Sequence, residues 1–82
     1  MTTTNHSDQL TDLNTGDHGY VVSLGSGKAI TSRLTSLGFT PGVEIIMTHN
    51  YGHGPLVVTV RGTRVALGRQ EARAIQVQRN ME

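Results

Sequence analysis

Between Lys28 and Leu37 the apolar residues return at Ile30, Leu34 and Leu37, the i, i+4, i+7 spacing of one helix face. Elsewhere the period is two. Tyr20-Val21-Val22-Ser23-Leu24 places Val22 and Leu24 on one face and Val21 on the other. Val43, Ile45 and Met47 alternate in the next segment, and Leu56, Val58 and Val60 in the one after. Arg64-Val65-Ala66-Leu67 reads as a return strand, and Ile75 and Val77 form the inward set of a last one. The pattern predicts one helix set among about five short strands.

The residues between these runs sharpen the boundaries. Gly38 supplies a left-handed residue to close the helix, and Pro41 forbids its resumption. With Gly38 at C′, Leu34 becomes C3 and Phe39 C″, the two positions that touch in a Schellman ending. Leu34, Leu37 and Phe39 are therefore expected in one core, with Pro41-Gly42 turning the chain into a strand. The helix is rich in Thr and Ser and too short to persist alone, so its stability must come from packing. Ser26 is the expected N-cap. Asn50-Tyr51-Gly52-His53-Gly54 reads as a hairpin loop, and Gly62-Thr63 as a two-residue turn of type II′. Gly68-Arg69-Gln70-Glu71-Ala72 has room for a single helical turn. Leu10 and Leu13, three apart, suggest an anchored turn before Gly16. Residues 1–7 are expected to be a disordered tail, 8–79 the domain and 80–82 a second tail. Short strands at this spacing describe a mainly β fold: a small SH3-like barrel with one inserted helix and a short terminal helical turn.

Composition narrows the possible roles. A chain of 82 residues, 35% hydrophobic with no Trp, builds its core from Val, Ile and Leu and leaves no room for a large catalytic cavity. The absence of cysteine excludes a disulfide framework, a zinc ribbon, an iron–sulfur cluster and a thiol nucleophile. The first residues show no secretory signal, and the longest aliphatic run is Leu56-Val57-Val58; a cytoplasmic location is expected. The net charge of +1 is far from that of a dedicated nucleic-acid binder. Its distribution says more. Five of the seven basic residues, Arg61, Arg64, Arg69, Arg73 and Arg79, lie beyond residue 60, and three of the six acids, Asp8, Asp12 and Asp17, before residue 18.

Candidate chemistry is sparse. His49 and His53 flank the hairpin loop and His18 opens the first strand; imidazoles suit Fe(II), but no carboxylate in the loop completes a ligand set, so exposed polar residues are the simpler reading. Asp8, Asp12 and Asp17 lack the spacing of a calcium loop. Gly25-Ser26-Gly27-Lys28 lacks the upstream glycine of a phosphate loop. Arg61 and Arg64 flank a turn, and Arg69 and Arg73 stand four apart on the last helical turn. Such arginines point to solvent by default, and their functional use would be docking to an acidic partner surface. Nucleic-acid binding would need aromatic platforms among them, which Tyr20, Phe39 and Tyr51 do not provide. A proline-rich ligand would likewise need an aromatic groove. A cleft between helix and barrel, with Ile30 or Leu37 exposed, is the better receiver of a partner segment.

The chain resembles the FeoA family, the small cytoplasmic accessory proteins of bacterial ferrous iron transport. The resemblance rests on Leu13-Asn14-Thr15-Gly16 with Gly19-Tyr20-Val21-Val22, on Arg33 through Ile45 including Leu34, Leu37, Gly38, Phe39, Pro41 and Gly42, on Gly54-Pro55-Leu56, and on Val65 through Val77. It implies an SH3-like fold, no catalysis, and association with FeoB, the membrane GTPase that carries ferrous iron. The same fold forms the C-terminal domain of DtxR-type iron repressors. Two other roles follow as alternatives: a nucleic-acid-binding small barrel, and an Fe(II) chaperone. No cofactor is expected beyond weak binding of Fe(II) or another divalent ion, and a homo-oligomer is compatible with the sequence.

Overall fold

The computed structural model describes residues 8–25 and 27–79. The expected tails, 1–7 and 80–82, and the expected cap Ser26 lie outside the described residues. The chain runs β1 (Asp8–Gln9), a 3₁₀ turn (Leu10–Asp12), β2 (His18–Leu24), α1 (Lys28–Ser36), β3 (Glu44–His49), β4 (Leu56–Val60), β5 (Thr63–Leu67), α2 (Arg69–Arg73) and β6 (Ile75–Gln78). The strands form a six-stranded sheet in the order β1-β6-β2-β3-β4-β5, with all neighbours antiparallel. The five expected strands are present, and a two-residue β1 adds a sixth. The curled sheet is an SH3-like barrel left open between its edges, β1 and β5.

Burial follows the alternation in most strands. Ile45 and Met47 of β3, Leu56, Val58 and Val60 of β4, and Ile75 and Val77 of β6 all point into one core. Leu10 and Leu13 join it from the 3₁₀ turn, as their spacing suggests. Strand β2 departs from the expected faces. Val21 is buried and Val22 is 41% exposed, while Leu24 packs against the core. A bulge causes this. Val21 pairs with Val77 but Ser23 with Gln76, so one extra residue reverses the alternation and brings Val21 and Leu24 to the same side.

The helix ends as its sequence dictates. Gly38 has φ +105°, the Phe39 amide donates to the Leu34 carbonyl at 3.0 Å, and the Gly38 amide donates to that of Thr35 at 3.0 Å. These are the two bonds of a Schellman motif. Leu34 and Phe39 are fully buried, but Leu37 is 36% exposed, against its expected place in the core. Leu37 lies about 60° round the axis from Leu34, at the rim of the buried stripe, and Phe39 takes the next core position after the turn. Ile30, on the same flank, is half-buried. At the other end Gly27 holds the N-cap position and provides no side-chain cap.

The β4–β5 turn also differs from expectation. Val60 pairs with Thr63, so Arg61-Gly62 are the central residues, and both have positive φ, +53° and +79°. That is the requirement of a type I′ turn, not a type II′ turn on Gly62-Thr63. Arg61 is the sole non-glycine with positive φ among the described residues.

Candidate functional site

The five arginines beyond residue 60 do not form one class. Arg79 closes the fold. Its guanidinium lies 3.1 Å from Asp8 Oδ2 and 2.9 Å from Asp17 Oδ2, and donates to the Asp12 carbonyl at 3.2 Å, gathering the acidic early segment onto the end of β6. The Asn14 amide donates to Asp17 Oδ2 at 2.8 Å and, with Arg79 adding to it, holds the Asp17 carboxyl below its ordinary value.

Arg69 is drawn inward as well. Its Nη2 donates to Asn50 Oδ1 at 2.8 Å, while its Nε is buried without a partner. Asn50 is the hub of this region. Its Nδ2 donates to the carbonyls of Leu13 (2.7 Å) and Thr11 (3.3 Å), its Oδ1 accepts from the Gly52 amide (2.9 Å), and its own amide donates to Thr15 Oγ1 (2.9 Å). One side chain thus ties the β3–β4 loop, the 3₁₀ turn and α2 together. The expectation that Arg69 stands in solvent with Arg73 is corrected here: Arg69 is half-buried in this seam, and Arg73 is exposed.

Arg61 and Arg64 behave differently again. Both are exposed, and neither has a carboxylate within salt-bridge distance among the described residues; the same holds for Arg73. Arg64 pairs across the hairpin with Thr59. The Arg61 stem crosses Gly38, where an added Cβ would sit 3.5 Å from Arg61 Cδ. Beside it lies a shallow recess of about 300 Å³ lined by Val43, Glu44, Ile46, Thr59, Arg61 and Gly62. Its single carboxylate, Glu44, is committed to His18 Nδ1 at 3.1 Å.

The acids account for the asymmetry. Asp8 and Asp17 are taken by Arg79, Asp12 accepts from the Gln9 amide, Glu44 meets His18, and Glu71 meets Arg33 Nε at 2.9 Å and accepts from the Gly68 amide at 3.3 Å. Every described carboxylate is therefore occupied, and the cations left over are on the β4–β5 hairpin, on Arg73 and on Lys28.

The described histidines do not form a three-membered cluster with one another or with the acids. His49 ends β3 with its Nδ1 3.1 Å from the Tyr51 hydroxyl, and His53 is exposed in the loop beyond. Among the described residues no three His, Cys, Asp or Glu side chains converge as a metal site would require. Sequence reasoning missed Asn50, the Arg33–Glu71 bridge and the Arg79 clasp. Only the first had a local signal, since Asn two residues before Gly in a loop favours an Asx turn. The others join residues far apart in the chain.

The FeoA domain model matches residues 9–79. No curated protein matches the chain. An iron uptake regulatory protein, FeoA, is similar at 32% identity over 89% of this chain and 97% of its own, with a TM-score of 0.84. The FeoA of Stenotrophomonas maltophilia, a procaryotic SH3 domain protein solved with zinc, is 34% identical over 87% of this chain and 89% of its own, with a TM-score of 0.77. A manganese-dependent transcriptional repressor shares 22% identity over 95% of this chain and 44% of its own, with a TM-score of 0.83; at that identity the likeness is one of fold alone.

Proposed function

The chain belongs to the FeoA family, associated with ferrous iron transport, and on that premise we propose that it is a non-enzymatic accessory that binds the cytoplasmic part of a FeoB-type transporter. The observation that supports this reading most is the charge asymmetry: the described carboxylates are all engaged within the fold, while Arg61, Arg64 and Arg73 are exposed without acidic partners among the described residues. Surplus arginine on an exposed hairpin is suited to an acidic partner surface, where charge complementarity speeds encounter and sets orientation. No chemistry is required of the chain. Its effect is steric and electrostatic, biasing a conformational or GTPase state of the transporter from the cytoplasmic side. Among the described residues no helix is long and apolar enough to cross a membrane.

Co-purification with a FeoB-type transporter tests this directly. A stable complex that Arg61→Glu, Arg64→Glu and Arg73→Glu together weaken is expected. Failure to form a complex with the wild-type chain, or equal retention of the triple variant, would overturn it. RNA retained in place of transporter, and lost steeply between low and moderate salt, would assign the arginines to nucleic acid.

A further inference from the structure

Strand β5 is the long edge of the sheet. It pairs with β4 from Thr63 to Leu67 and has no strand on its other side among the described residues, whereas the opposite edge, β1, is only two residues long. No other element shares an extensive contact with β5 among the described residues. Its register settles which backbone groups are unpaired. Across a two-residue turn Val60 and Thr63 form the first hydrogen-bonded pair, so Val58 and Val65 form the next. The N–H and C=O groups of Arg64 and Ala66 therefore point away from β4, into the open edge. Both residues are exposed, and no loop or turn hydrogen bond reaches these groups among the described residues.

We infer that this edge takes an extended acidic segment of the partner as an added antiparallel or parallel strand. The inference rests on the transporter-binding reading above and names the mode of contact. Strand addition would supply the two missing donor–acceptor sets at Arg64 and Ala66, and these main-chain bonds give affinity without requiring a deep pocket. Charge chooses the occupant. Arg64 projects from the edge strand itself and Arg61 from the turn at its head, with no carboxylate in reach of either among the described residues. A second copy of this chain would bring the same arginines to the edge, so self-pairing is opposed. A segment alternating Glu or Asp with β-branched residues would meet both demands, placing its acids on the outer face beside Arg64 and its apolar residues toward Val65.

The experiment uses the full chain and two probes: the soluble cytoplasmic domain of a FeoB-type transporter, and a short capped peptide alternating Glu with Val or Thr. The variants are Ala66→Pro, which removes an outward N–H at an edge position where proline is tolerated, and Arg64→Glu. Each is expected to weaken both probes about tenfold, the scale of one or two hydrogen bonds lost. The peptide N-methylated at alternate residues is expected to bind equally poorly to the unaltered chain, which keeps the test valid should Ala66→Pro fail to fold. Amide exchange at Arg64 and Ala66 should slow when the unmodified peptide is bound. A transporter domain that binds wild type and Ala66→Pro alike, without protecting those amides, overturns strand addition and leaves the partner reading standing. Peptide binding with no transporter binding does the reverse. Binding of neither, or equal binding of a Lys-for-Glu peptide, overturns the inference, the latter by removing its charge argument; dimerisation through β5 would replace it with self-pairing.

Discussion

The seam around Asn50 and the β4–β5 hairpin both present arginine, and they use it in opposite ways. In the seam, Arg69 spends its guanidinium on Asn50 Oδ1, whose partner amide holds the Leu13 and Thr11 carbonyls; the charge serves to join three segments that are remote in sequence. In the hairpin, Arg61 and Arg64 stand on a two-residue turn and an edge strand, and hold nothing charged among the described residues. The same residue type is structural in one place and available in the other. What decides is whether uncharged acceptors of the fold lie within reach of the side chain, not how exposed a short connection looks from its sequence.

The comparison can be broken most forcefully at Asn50. Asn50→Ala strips partners from the Leu13 carbonyl, the Gly52 amide and the Arg69 guanidinium at once, and should cost about 2–4 kcal/mol in denaturant unfolding. A variant as stable as the wild type would mean that the seam is held by packing of Leu10 and Leu13 alone. The direct contrast comes next. Arg69→Glu should destabilise by about 1–3 kcal/mol, since it sets a carboxylate beside Asn50 Oδ1 in a half-buried site. Arg64→Glu should stay within about 0.5 kcal/mol, as at an ordinary surface position. Equal denaturation midpoints would erase the distinction between the two regions.

The smallest effect lies with acid. Asp17 has its folded pKa lowered, first by the Asn14 amide and then by Arg79. A depressed carboxyl contributes stability that is present above its unfolded value, near 3.8, and is lost as pH falls through the lower folded value. Asp17→Asn should therefore be less stable than wild type near neutrality, and the difference should shrink as the pH drops through that window. A difference that persists unchanged in acid would show that the Asp17 charge does no work in the clasp.

Much of the architecture was legible because it is local. The helix face through Leu34, the Schellman turn on Gly38 and the alternating strands β3, β4 and β6 are each specified by neighbours within a few residues. What escaped depends on what lies across the sheet. The Val21–Ser23 bulge is set by the register against β6, so a strict period-two reading of β2 puts Val22 where Val21 belongs. Leu37 fits the helical period and still emerges at the surface, because the stripe is centred on Leu34 and Phe39 follows it into the core. The turn at Arg61-Gly62 escaped for another reason. Glycine announced a primed turn, but an arginine at positive φ is not what local preference selects. At the site itself, the basic residues were visible in the sequence, while their division into committed and uncommitted ones required knowing where every acid had gone.

The Arg79 clasp reaches further than its hydrogen bonds. Asp8 is opposite Val77 in the sheet, and Arg79 grips Asp8 from the far end of the sequence. The first and last described segments therefore run side by side, like the two halves of a clasp on a closed band. Tension applied between these two segments would pull on the β1–β6 pairing and the Arg79 contacts before it reached the core beneath α1. The domain thus has a mechanical weak point and a handle in the same place.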